Sequence, residues 1–176
     1  MTLTTIGNGA VTSVTVVLQV VTLLIVAIAM ATMLAHALEL PGKLKLPKDE
    51  YLAVQKIYYP GFTIGGAAEP LGLILLIALM LLTPPGPSLW LTAGGFLALA
   101  AAHATYWLVT HPVNNFWLKD VELKGLGAGF FAFDPLSRRG ITADWTVLRN
   151  RWEFSHAWRA AFGVASLILV AAAVAV

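Results

Sequence analysis

The sequence predicts an all-α integral membrane four-helix bundle with short amphipathic helices in its connections. Three observations carry that expectation. Apolar residues make up 59% of the 176-residue chain and charged residues only 11%, against about 25% in soluble domains. Four apolar stretches each reach the roughly 20 residues that a helix needs to cross a bilayer, and none alternates with the period of a barrel strand. Every Lys and Arg falls in or beside two connections. A chain with a mean hydropathy of +0.80 is neither a soluble globular domain, a disordered tail nor a nucleic-acid binder. Having no cysteine, it lacks disulfides, thiolate metal sites and thiol chemistry.

Span one covers about 11–38. Its apolar run is too long for a signal-peptide core and residues 1–10 hold no Lys or Arg, so it reads as a retained span. Pro41-Gly42 reads as its stop. Lys43 to Lys48 then reads as a basic patch for anionic headgroups. Tyr51, Val54, Gln55, Tyr58 and Tyr59 share one face of a short amphipathic stretch. Span two covers 62–82. Within it Pro70 offers no N–H to the Gly66 carbonyl and biases Glu69 away from helix. GGAAEPLG is therefore a predicted kink whose small residues let helices approach closely. The TPPGP turn makes span three, 88–110, an antiparallel neighbour. A longer connection containing GLGAG (125–129) returns to helix near Thr142, a predicted N-cap with Asp144 in the first turn. That helix runs into span four, 156–176.

The chain thus reads as one membrane domain, 1–176, without internal repeats and with charged connections at 39–61 and 111–155. Four basic residues lie in the first connection and seven around the second, while both termini and the TPPGP turn carry none. The positive-inside rule then places the connections in the cytoplasm and both termini outside.

Ionisable groups inside a span cost about 2.5–3.5 kcal/mol on insertion scales and mark function by default. Glu69 lies seven residues past Phe62, about 10 Å inside the boundary at helical rise. His103 lies seven residues before Thr110 on a span running the other way, at similar depth. His36 with Glu39, and Glu153 with His156, are i, i+3 pairs that share a face, the spacing used in di-iron and di-manganese bundles. His103, Trp107 and Thr110 form a stripe on span three. Trp145, Arg149, Trp152, His156, Arg159 and Gly163 recur at seam spacing on the last helix. All four histidines fall in one half of the protein.

Plainer readings stand beside these. Glu69 could keep its proton and donate it to a freed carbonyl. His103 could be a core histidine bonded to Thr110 or a neighbour, and His111 a helix C-terminal residue. Arg149 and Glu153 could form a surface pair, and the tryptophans an interfacial belt.

HALELPGKLKLP (36–47), YLAVQKIYYPGF (51–62), THPVNNFW (110–117) and DWTVLRNRWEFSHAWRA (144–160) resemble the DUF1772 family of bacterial and fungal four-span membrane proteins. HPVN and RWE-x-x-H-x-x-R are the most specific parts of that likeness, and the matching positions are His36, Glu39, His111, Pro112, Asn114, Trp152, His156 and Arg159. The resemblance implies a four-helix membrane bundle and, for some members, oxygenation of a polyketide anthrone to an anthraquinone.

Two functions are expected. The first is a membrane oxidoreductase, an oxygenase acting on a lipophilic aromatic or phenolic substrate, in a bacterial inner membrane. Tyr59, Trp107 and Trp152 would line its pocket, Asn114 and Arg159 would orient a phenolate or carbonyl, and His36 and His156 would carry the chemistry with Arg159. His36, Glu69, His103 and His156 offer N/O ligands suited to non-haem iron, copper or zinc. Haem ranks lower, because no histidine pair stands out at matched depth on facing spans. Without a cofactor, a histidine base could ionise a substrate that reacts directly with oxygen. The second function is a non-catalytic membrane subunit or small-molecule binder with a structural polar cluster. Gly94-Gly95 and the Ala-rich end of span four would then dock a membrane partner or a second copy. Lipid and a lipophilic small molecule are the expected partners. A transmembrane proton or ion route is disfavoured, because the outer half of each span lacks a polar relay.

Overall fold

The computed structural model describes residues 3–59, 61–117, 133 and 144–176, and among these it contains helices and no strand. Helix α1 (Leu3–Lys43) runs past the expected stop at Pro41. The ring removes one donor, the one that would reach the Ala37 carbonyl, but the chain holds helical form beyond it, and the Leu44 N–H reaches the Leu40 carbonyl at 3.1 Å. Helix α2 (Lys48–Gln55) and the 3₁₀ turn Lys56–Tyr58 follow, with Tyr51, Gln55 and Tyr58 buried. They form the expected amphipathic stretch.

Span two is broken into α3 (Gly61–Gly66) and α4 (Ala68–Leu82). The break falls at Ala67, whose N–H turns to the Ile64 carbonyl at 3.1 Å. Pro70 sits in the first turn of α4, where a missing N–H costs little because those donors have no helical partner anyway. Span three starts on Pro87 as α5 (Pro87–Thr105), widens into a π-turn over Tyr106–Thr110 and continues as α6 (His111–Trp117). It is longer than the expected 88–110. Pro112 has no N–H for the carbonyl one turn back, and the wider π-turn absorbs that loss. Helix α7 (Trp145–Ala175) is capped by Asp144, whose carboxylate accepts the Thr146 N–H at 2.8 Å. The expected cap Thr142 lies outside the described residues, as do GLGAG, Lys119, Lys124, Arg138 and Arg139.

Helix α7 packs along α1 and α5, and α4 packs along the same two. The spans therefore close into a ring in the order α1, α4, α5, α7. Val26, Met33, Leu76, Leu99, Ala102 and Val170 fill its centre. Leu24, Ile28, Ile74, Leu97 and Ile168 point outward and are exposed. Helices that are apolar outside as well as inside belong in lipid, and four of them are long and apolar enough to cross a membrane: Ser13–Lys43, Gly61–Leu82, Pro87–Asn114 and Trp145–Ala175.

Close packing uses the small residues within the chain. A Cβ on Gly95 would lie 2.7 Å from the Val170 Cγ2, and the Ser166 hydroxyl donates to the Gly95 carbonyl at 2.8 Å. Leu169 covers Gly94, and the Ser88 hydroxyl reaches the Ala173 carbonyl at 2.7 Å. Gly94-Gly95, expected as a docking face, is thus spent on α7.

Candidate functional site

A cavity of about 350 Å³ lies between the helices toward the end of the bundle that carries the charged connections. Tyr58, Tyr59, Phe62, Tyr106, Trp107 and Trp152 form its aromatic walls. His36, Glu69, His103, Asn114, His156 and Arg159 supply its polar groups. The break at Ala67 contributes the exposed residues Ala67 and Pro70 to the lining, so the mouth opens sideways through span two. All nine site residues singled out from sequence line this one space.

Their hydrogen bonds form a chain with defined proton positions. The Trp107 indole N–H donates to His103 Nε2 at 3.0 Å, so neutral His103 carries its proton on Nδ1. That N–H faces Glu69 Oε2 at 3.2 Å. The other Glu69 oxygen takes a hydrogen bond from the Arg159 guanidinium. Arg159 donates through its second terminal nitrogen to His156 Nδ1 at 3.1 Å, and its guanidinium carbon lies 5.0 Å from the centre of the Tyr106 ring. Arginine has no acceptor, so neutral His156 must hold its proton on Nε2. That nitrogen is buried and has no hydrogen-bond partner among the described residues.

Glu69 is therefore ion-paired with Arg159, not turned to a freed carbonyl, and His103 bonds to its neighbours Glu69 and Trp107. The expected ligand set of His36, Glu69, His103 and His156 does not meet at one point. Among the described residues no three histidine or acidic side chains are grouped as ligands to one ion. The physical reason is the Arg159 guanidinium, which fills the space between Glu69 and His156. Both nitrogens of His103 are already committed. His36 instead packs on His156 with ring centres 4.1 Å apart, and Trp152 stacks against His156 at 4.2 Å. Direct contact of the two imidazoles leaves no room for a porphyrin between them.

Asn114 is fixed by the Trp152 indole N–H, which donates to its Oδ1 at 2.7 Å. His111 is buried in the helix interior, not at a helix end. It contacts the Tyr106 hydroxyl at 3.2 Å and the Phe133 carbonyl at 2.6 Å. Trp152 is 3% exposed, whereas Trp90 and Trp158 are 74% and 64% exposed. The interfacial-belt reading, made for Trp107, Trp117, Trp145, Trp152 and Trp158, thus suits Trp158 and fails for the buried Trp117 and Trp152. Burial pushes the Tyr59 hydroxyl above the ordinary phenol range, which keeps this wall residue protonated.

A second polar cluster closes the charged end below the cavity. Lys43, expected on the surface, is 4% exposed and sits 2.9 Å from Glu39 and 3.6 Å from Glu153. Its ammonium lies 4.8 Å from the Tyr58 ring centre and 4.9 Å from that of Trp152. The Tyr51 hydroxyl donates to Glu153 at 2.9 Å and the Tyr58 hydroxyl to Glu39 at 2.5 Å. Burial first, then the adjacent carboxylates, hold both phenols above their ordinary range. Glu153 therefore pairs across to α1 and α2, and Arg149 turns away to Asn150 and the Leu44 carbonyl. Tyr106 is a cavity residue that helical spacing did not single out, and Tyr58 one that spacing placed only on the face of the amphipathic stretch. Tyr58 could have been found from its place on the buried face of the amphipathic stretch.

Compared with known proteins, the chain matches no family model, no curated protein and no solved structure.

Proposed function

We propose that this protein is a membrane oxidoreductase that oxygenates a lipophilic aromatic or phenolic substrate at the buried polar cavity. The observation that carries the reading is the enclosure of the His36–His156 pair and Arg159 by aromatic walls, with a mouth that opens sideways through an apolar span. Its volume of about 350 Å³ falls at the small end of ligand pockets, about 300–1,000 Å³, and suits two or three fused rings. The resemblance to DUF1772 motifs supports the same class of reaction.

The arrangement favours the cofactor-free route over the four-ligand metal. Glu69 and His103 spend their acceptors on Arg159 and Trp107, while His36 and His156 remain at the cavity wall. His36 takes a proton from an activated C–H or O–H, and the His156 Nε2–H and Asn114 hold the substrate oxygen. The carbanion then reacts with dioxygen, and a methylene becomes a carbonyl with loss of water: R₂CH₂ + O₂ gives R₂C=O + H₂O. Substrate reaches the cavity from the inner leaflet. The charge distribution supports cytoplasmic connections and external termini, in a bacterial inner membrane.

The test is oxygen uptake by purified protein in detergent, with anthrone as the probe. Uptake of one dioxygen per anthrone, lost in His36→Ala and His156→Ala, supports the reading. Saturable anthrone binding without uptake replaces it with that of a small-molecule binder. Absence of binding leaves a structural network.

A further inference from the structure

We propose that Glu39 is the port through which the buried histidine pair exchanges protons with water. The cavity mouth at Ala67 and Pro70, beside Glu69 and His103, opens through an apolar span onto lipid, which accepts no proton, so protons released inside need another way out. Among the described residues, Glu69 and Glu153 are buried, whereas Glu39 keeps 39% of its side chain exposed while facing a cavity-lining histidine. Its Oε2 lies 3.9 Å from His36 Nδ1, a gap that one water or a small rotation closes. His36 Nδ1 is buried and has no hydrogen-bond partner among the described residues. His36 thus forms the partition, with its ring against the cavity and one nitrogen toward the port.

The groups around Glu39 hold it in that position. Lys43 Nζ lies 2.9 Å away, with Glu153 behind it at 3.6 Å, and the Tyr58 hydroxyl donates to the carboxylate at 2.5 Å. Tyr58 keeps its own proton, because burial and the Glu39 charge raise its pKa, so it is a fixed donor and the mobile proton passes through His36. A proton arriving at His36 Nε2 makes an imidazolium. Its Nδ1 proton then moves to the Glu39 carboxylate and from the carboxylic acid to bulk water. No bond other than N–H and O–H changes, and the path runs equally well inward.

The inference rests on reading the cavity as a proton-handling site, yet its test needs no turnover. In protein labelled with ¹⁵N-histidine, NMR measures exchange of the His36 ring proton with water, the signal being assigned by its loss in His36→Asn. Glu39→Gln is expected to slow exchange by roughly 10²-fold, the lower end of what a positioned proton-transfer group contributes. Glu39→Asp, which keeps the carboxylate, retains most of the rate, and added formate restores exchange in Glu39→Gln. Unchanged exchange in a folded Glu39→Gln protein would overturn the proposal. So would slowed exchange that neither Asp nor formate restores, because the residue then acts on structure alone. A protein that takes up no oxygen but shows the expected exchange pattern loses the oxygenase reading and keeps this one.

Discussion

Replacing Arg159 by methionine isolates the energetics on which the site depends. Arg159 is 5% exposed and Glu69 3%, so neither charge is screened by water in the folded protein. Two unit charges about 4 Å apart attract by about 4 kcal/mol at an effective dielectric constant of about 20. In Arg159→Met, Glu69 keeps one contact, the His103 Nδ1–H at 3.2 Å, and His156 Nδ1 loses its donor. Breaking one side of a buried pair costs about 3–5 kcal/mol, in line with the Coulomb figure. That is roughly 10²- to 4 × 10³-fold in the unfolding constant, at about 1.4 kcal/mol per factor of ten. Glu69→Leu leaves the guanidinium unpaired and is expected to cost as much. In the double variant neither charge remains, so its loss should be smaller than that of either single variant, with a coupling energy of about 2 kcal/mol or more. Reversible unfolding in mixed micelles, followed through the tryptophan fluorescence, reads all three. If the single losses stay below about 1 kcal/mol and simply add, the pair behaves as a solvated surface pair and the reasoning fails.

Gly95→Leu should destabilise by about 1–3 kcal/mol or more through overpacking against Val170, measured in the same unfolding assay. Tyr58→Phe removes a hydrogen bond to a carboxylate, which is half-exposed, and should cost about 1 kcal/mol, with Glu39 becoming more mobile by NMR. His156→Asn should weaken binding of an aromatic ketone by roughly 3–10-fold, the worth of one neutral hydrogen bond, as read by quenching of tryptophan fluorescence. The Thr146 side-chain and backbone hydrogen bonds hold the Asp144 carboxyl below its ordinary value. Its contribution to the start of α7 is thus complete above the unfolded value near 3.8 and is lost as pH falls through the lower folded value. Hydrogen exchange at the Thr146 amide should therefore gain an acid-dependent opening that Asp144→Ala shows at all pH values.

Depth and helical spacing were enough to assemble the cavity. Counting residues inward from the ends of spans two and three brought Glu69 and His103 to one level, and they touch. Spacings of four and three linked Trp107 to His103 and His156 to Arg159. A sequence does not give the rotation of one helix about its axis relative to its neighbour, and this decides whether four donors converge on a metal or pair with an arginine. The length of the Arg159 side chain, which reaches from α7 to α4, settled it. Lys43 reads as a surface residue for a related reason. A lysine after Pro-Gly reads as solvated, and the two carboxylates that draw it inward come from different helices. The Thr142 expectation shows the limit for caps, where two eligible residues stood two positions apart.

The π-turn at Tyr106–Thr110 sets the phase of everything beyond it. Residues five apart lie over one another in such a turn, which brings the Tyr106 hydroxyl to His111, while Asn114 reaches toward the same oxygen at 3.5 Å. Winding the same residues as α-helix would rotate α6 by about 100°, carrying His111 and Asn114 away from the cavity. No side chain in the turn need be lost for that to happen. The length of this segment is thus a determinant of the site in its own right, and a one-residue insertion here, added to the one the π-turn already absorbs, should be as damaging as losing a named cavity residue.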